Sequence, residues 1–201
     1  MAKKIKRTIV LFGCSKHKRP YVADMKRGNR VLPHEFYQGD LFSKRMRYMD
    51  LRLQLSTKLD YYRWGVLSAF VGLWWSDVEK NVYIIDKKSM EPPKPYDMMI
   101  TELTQYEKAS WVVEAVRDVI HACWHYNDID DVREPIKTSE VSVELHAGIH
   151  YRLQLTKVLK ALGFVVINPL RGMEIGEQKA WYLLQIERLE ERLKHDERAT
   201  G

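Results

Sequence analysis

The sequence predicts an α/β protein, a three-layer sandwich with a mostly parallel central sheet, formed by residues 1–201 as a single domain. Three observations carry that expectation. Short β-branched and apolar runs alternate with longer stretches of helical periodicity, each apolar run stops at small or polar residues, and no repeat, linker or low-complexity tract interrupts the alternation. Strands joined through helices pair in parallel and bury both faces of their sheet.

Thr8 to Phe12 is apolar or β-branched and ends at Gly13, the pattern of a buried strand entering a turn. Gly28-Asn29 and Pro33 mark an irregular segment after it. From Asp40 to Leu55 the residues Leu41, Met46, Met49 and Leu53 recur among arginines and lysines, which predicts an amphipathic helix with Asp40 as its cap. "YYRWGVLSAF", from Tyr61 to Phe70, predicts a strand ending near Ser68. "VYIID", Val82 to Asp86, predicts another short strand, and the proline-rich "EPPKPYD" after it must be loop.

Val112, Val113, Val116, Val119, Ile120 and Cys123 fall at helical spacing, and "NDIDDVREP" breaks that helix. Val141 to Leu145 alternates as a strand does. "HAGIHYRLQLTKVLKALG" then predicts a helix closing at Gly163, "FVVIN" the last strand and "PLRG" a turn. The final helix begins at Ile175. Its seam of Tyr182, Ile186, Leu189 and Leu193 should pack on the sheet or, as a homodimer contact, on a second copy.

Composition bounds the function. With 45% hydrophobic and 30% charged residues the chain has the balance of an ordinary globular protein. It has no run approaching the ~18 to 20 apolar residues a membrane helix needs, and "MAKKIKR" is followed by too short an apolar stretch for a secretory signal. A cytoplasmic protein without a membrane partner is expected. Cys14 and Cys123 are the two cysteines, so reduced thiols are expected rather than a disulfide framework. The net charge of +6 is compatible with a nucleic-acid or nucleotide partner. Basic residues gather near the start, at Lys3, Lys4, Lys6, Arg7, Lys16, Lys18, Arg19, Lys26, Arg27 and Arg30.

In open parallel sheets, ligands bind beyond the carboxyl ends of the strands. Four loops fall there: Gly13-Cys14-Ser15, Ser68-Ala69, His146-Ala147-Gly148, and Asn168 to Gly172. Cys14 is a candidate nucleophile beside the cations Lys16, His17 and Lys18; the plain alternative is a small packed side chain. Ser15 and the amides after Gly13 would cradle an anion with Lys18 as counter-charge, although the spacing is not that of a Walker loop. His146 is a candidate general acid or base.

His146 and His150, like His121 and His125, are four apart, but neither pair has the glutamate of a zinc-protease helix. Neither a metal nor a cofactor is expected. Asn168 suits a base edge or ribose and Arg171 a phosphate, against the alternative of a simple crossover turn. Trp74, Trp75, Tyr96 and Trp181 would stack a base, or else fill the core.

The ordered set "CSKHK", "FYQGDLF", "WGVLSAFVGLW", "PYD", "HAGIHY" and "NPLRGMEIGEQKAWY" resembles the bacterial and phage domains labelled DUF6884. More distantly, Cys-Ser-x-x-Lys followed by Pro-Tyr is similar to the α/β domain of archaeosine synthase, and the layout is similar to uracil-DNA-glycosylase-like folds. Both resemblances imply nucleobases. The expectation is therefore an enzyme acting on a nucleobase or its N-glycosidic bond, in DNA or a nucleotide, by base release, exchange or modification. Cys14, His146 and Lys18 would be catalytic; Ser15, Ser68, Tyr96, Asn168, Arg171 and Trp181 would bind. The rival is a non-catalytic nucleotide or nucleic-acid binder, such as a phage-encoded sequestering or inhibitory protein. A hydrolase of nucleotide second messengers is a third expectation.

Overall fold

The computed structural model describes residues 6–20, 30–56, 60–84, 94–123, 125–126, 133–134 and 137–200. It is a mixed α/β protein around a five-stranded sheet built from β1 (Lys6–Gly13), β2 (Asp60–Ser68), β3 (Gly72–Trp75), β4 (Val141–His146) and β5 (Val165–Ile167), in the order β5-β4-β1-β2-β3. The four longer-range pairings divide as the helical connections require: β1 runs parallel to both β2 and β4, β4 runs parallel to β5, and β3 alone returns antiparallel beside β2. Four helices complete the frame: α1 (Asp40–Gln54), α2 (Gln105–Ala122), α3 (Ile149–Ala161) and α4 (Ile175–Thr200).

Strand alternation divides the core. Ile9 and Leu11 of β1 join Val143 and Leu145 of β4 and the inner residues of α2 and α3, among them Trp111, Val116, Leu155 and Leu159. Val10 and Phe12, the neighbours that point the other way, meet Tyr48 and Met49 of α1 and Tyr182 of α4. Each such side chain, fully buried, contributes about 1.5–3 kcal/mol relative to exposure. The α4 seam therefore packs inside the chain: Tyr182 is buried and Ile186 and Leu189 lie on the same cluster, while Arg47–Glu190 and Lys179–Asp40 ion pairs tie α4 to α1.

Two sequence expectations are corrected. Asp40 does not cap α1; Gly39 holds that position at φ 107°, and Asp40 is the first helical residue, paired with Lys44 and Lys179. The strand ends at Ser68 as expected, but Gly72, at φ 71°, then turns the chain back so that Leu73–Trp75 pairs with Gly65–Leu67. Trp74 and Trp75 are thereby buried at 0% and 8% exposure, so they fill the core and offer no stacking surface.

"VYIID" yields the two-residue strand Tyr83–Ile84, antiparallel to Lys94–Pro95. Its last residues lie outside the described residues, as do Lys3, Lys4, Lys26, Arg27, Gly28-Asn29, all of "DKKSMEPP" and most of "NDIDDVREP". No described helix is long and apolar enough to cross a membrane.

Candidate functional site

After β1 the chain moves to β2 on one side, and after β3 it crosses to β4 on the other. The ends of β1 and β4 thus form a topological switch point, the place in such sheets where the connecting segments diverge and ligands bind. Its floor is tight. A Cβ added to Gly13 would stand 3.3 Å from Ala147 Cα and 3.5 Å from the Gly148 amide nitrogen, which brings the start of α3 against Cys14. A helix start carries partial positive charge from its free amides.

Cys14 is half-buried here. Its amide donates to the Leu67 carbonyl (3.1 Å), and its Sγ lies 3.4 Å from the Tyr151 hydroxyl on the first turn of α3. Burial first, then the adjacent sulfur, pushes the Tyr151 phenol well above its ordinary value. It keeps its proton and serves as a donor. Tyr37 is pushed up by burial too, with Cys14 and Asp97 adding to the effect and Ser68, within hydrogen-bonding reach, opposing it. Two protonated phenols therefore flank the sulfur.

The loop after Cys14 is held by its own polar groups. Ser15 Oγ donates to the Gln38 carbonyl (2.6 Å) and accepts from the His17 amide (3.2 Å). The Gln38 amide donates to His17 O and the Arg19 amide to Phe36 O, both at 2.8 Å. Gly39 must be glycine here, because its φ is positive and a Cβ would sit 3.2 Å from the His17 ring. From below, the buried Arg45 of α1 donates through Nη1 to the Gly13 carbonyl at 2.7 Å and so fixes the peptide that precedes Cys14.

Lys18 and Asp97 form an ion pair in which the lysine side chain is 8% exposed and the aspartate 68%. The group turned to solvent is the carboxylate. Beside it, the Tyr96 ring stacks on Phe70, centroids 3.4 Å apart and planes 11° from parallel. Ser68 Oγ accepts from the Phe70 amide (3.3 Å), and the Ser68 carbonyl accepts from Trp111 Nε1 (2.8 Å).

The structure thus brings together Cys14, Ser15, Lys18, Ser68 and Tyr96 among the residues singled out from sequence. It does not bring His146 or Trp181 to them. His146 is fully buried on the opposite face, against Phe12, Tyr48, Trp181 and Tyr182.

Burial opposes the Glu144 charge, but hydrogen bonds from His146 and Arg52 outweigh it and hold the carboxyl at about 2. Burial also lowers His146, against the pull of Glu144. The imidazole is therefore neutral: Nε2–H donates to Glu144 (3.2 Å), and the Tyr182 hydroxyl donates to Nδ1 (2.7 Å). Arg52 closes the network with two bonds to the same carboxylate, at 2.5 and 3.0 Å.

Asn168 and Arg171 occupy the loop beyond β5, two strands from β1 and so about 10 Å away across the sheet. They share one turn, in which the Arg171 amide donates to the Asn168 carbonyl (3.2 Å). The Arg171 side chain is exposed, and Asn168 Oδ1 is buried without a partner among the described residues. Sequence reasoning passed over Tyr37, Phe70, Asp97 and Tyr151. Their signal lay in the spacings "FYQG", "SAF", "PYD" and "AGIHY", since each sits within a few residues of a strand end or loop already singled out. Among the described residues, no three histidine, cysteine, aspartate or glutamate side chains stand together as a metal would need.

The frame and the cluster define an α/β protein with a polar site at the carboxyl ends of parallel strands. A family model described as a family of unknown function, DUF6884, matches residues 9–183, and the chain belongs to that family. The match runs from β1 into α4 and contains every residue of the Cys14 cluster. No curated protein and no solved structure matches the chain.

Proposed function

We propose that the protein acts on a nucleobase or its N-glycosidic bond, in DNA or a nucleotide, from a three-layer α/β sandwich in the cytoplasm of a bacterium or its phage. The observation that supports this reading is the convergence of Cys14, Lys18, Ser68 and Tyr96 on one crevice, with Phe70 and Tyr96 as an aromatic wall and two protonated phenols beside the sulfur. A base extruded into such a crevice gains stacking of about 1–3 kcal/mol.

In the hydrolytic form the C1′–N bond breaks and its electron pair leaves on the base. Water supplies hydroxide to C1′ and a proton to the base. Fixed donors that meet the departing charge lower this barrier, and Tyr37 and Tyr151 are such donors. Cys14 shapes the pocket and positions Tyr151. His146 and Trp181 support the opposite side of the sheet, and Asn168 with Arg171 hold phosphate at the rim.

The rival reading, binding without turnover, draws on one observation: His146, the expected general acid or base, has both ring nitrogens engaged and no exposure. The test is mass spectrometry of wild type, Cys14→Ser and Tyr151→Phe incubated with single- and double-stranded DNA, RNA and nucleotides, with and without divalent metal. A released or mass-shifted base that Tyr151→Phe abolishes is the expected result. Retention of one component with every substrate intact would replace the enzyme by the binder.

A further inference from the structure

We infer that Asp97 is the group that reads the ligand, and that it selects a planar heteroaromatic base presenting a ring N–H next to an exocyclic amino group. This rests on the nucleobase reading above and adds to it a substrate class.

The Lys18–Asp97 pair turns its carboxylate, not its ammonium, to solvent. A lysine in a basic loop is expected to offer its ammonium to an anion, but the Lys18 side chain is 8% exposed and its charge is met by Asp97, which is 68% exposed. A phosphate seeking Lys18 would first have to displace that carboxylate. The surface offered to a ligand is an acceptor, since an ionised carboxylate donates nothing and can take two hydrogen bonds side by side.

The position of Asp97 is fixed from both ends of the pair. Lys18 forms a backbone bridge with Tyr37, and the adjoining Gln38–His17 and Arg19–Phe36 hydrogen bonds clamp the loop that carries it. The Tyr96 amide, one residue before Asp97, donates to the Val82 carbonyl at 2.9 Å. The Tyr96 ring lies flat on Phe70, whose own amide is held by Ser68, and Phe70 remains 44% exposed.

An exposed aromatic ring, stacked on Tyr96, and a fixed acceptor on the very next residue read a planar ligand on its face and on its edge. The edge chemistry decides the class. Neighbouring N–H donors match a carboxylate, whereas a ring-nitrogen or carbonyl edge places acceptor against acceptor.

The test is equilibrium binding to the full chain, read by tryptophan and tyrosine fluorescence, with guanosine, inosine, adenosine, uridine and inorganic phosphate. Guanosine, which has both donors, should bind about tenfold tighter than inosine, which lacks the amino group, and tighter than the other ligands. Asp97→Asn should bring guanosine and inosine to within about twofold of each other. Phe70→Ala should weaken all nucleosides together and leave their ratio intact. Equal binding of the nucleosides, a preference that survives Asp97→Asn, or phosphate binding tighter than any nucleoside would each overturn the inference while leaving a nucleobase site standing. Binding of no nucleoside at all would overturn both.

Discussion

Cys14 and His146 stand at the ends of two neighbouring parallel strands, yet their side chains leave the sheet by opposite faces: Cys14 meets Tyr151 of α3, and His146 meets Tyr182 of α4. Two polar groups close in the backbone are thereby assigned to two separate environments. One is a half-open crevice and the other a sealed network.

The first consequence concerns the two thiols. Cys123 is buried, burial pushes it up to about 11, and its sulfur is bonded to the Val119 carbonyl. At neutral pH it should therefore be inert. A thiol reagent should modify one cysteine in the folded protein and two in denaturant, and Cys14→Ser should remove the reactive one. Modification of Cys123 in the native state, located by peptide mass spectrometry, would contradict the packing of α2.

The sealed network predicts a pH dependence. Glu144 sits at about 2 when folded against an ordinary 4.5, so its stabilising effect is present above about 4.5 and lost as pH falls toward 2. That shift corresponds to about 3 kcal/mol. His146 is lowered as well, from an ordinary 6.5, so the unfolded chain takes up its proton first and stability begins to fall below that value. Urea midpoints should be level near neutrality and decline in two stages on acidification. His146→Gln should abolish the earlier stage.

Breaking the same network by substitution should be costly. Arg52→Met strands the Glu144 carboxylate beside its remaining partner, and the expected loss is about 3–5 kcal/mol in denaturant unfolding. His146→Phe should also destabilise the fold, by about 1–3 kcal/mol, because the Tyr182 hydroxyl and the Glu144 carboxylate each lose a partner. Neither change should alter the rate at which Cys14 is alkylated in protein that remains folded.

Catalysis should respond to the other environment. Tyr151→Phe keeps the ring packed against Trp111 and removes only the hydroxyl. If the phenol meets charge on the departing base, kcat should fall by about 100-fold with KM little changed. Unaltered kcat would exclude Tyr151 from the reaction.

Gly65 gives a purely structural test. A Cβ there would meet Leu73 Cδ1 at 2.9 Å and the Trp74 carbonyl at 3.0 Å, between β2 and the returning β3. Gly65→Ala should cost about 1–3 kcal/mol and lower the melting temperature.

The frame was legible because three apolar patterns mark its strands near their expected limits: "TIVLF" is unbroken and buried on both faces, "VSVEL" alternates, and "FVVIN" is a short apolar run whose Val165 and Ile167 are exposed at the sheet edge. The return strand β3 was not, since four buried residues after a tight turn carry no period of their own. Cys14, Lys18 and Ser68 were singled out because strand ends are readable, and Tyr96 as an aromatic in a proline-rich loop. The face each residue takes is harder to read, and His146 shows why: one step in a period of 2 sends a side chain to the other side of the sheet. Lys18 was expected as a free counter-charge, and only the fold reveals that Asp97, 79 positions later, pairs with it.

The central strand also sets the order in which the molecule can be made. β1 is made before the other strands of the sheet and β2 soon follows, but its other neighbour is β4, and Cys14 finds Tyr151 137 positions downstream. At about 5–20 residues per second, the newborn β1 waits roughly 7 to 27 seconds with one edge unpaired. Contacts this distant in sequence make folding slow, and chaperone cover for that edge would shield it from strangers. A ribosome stalled before α3 would thus release a chain with its first strand in place and no site at all.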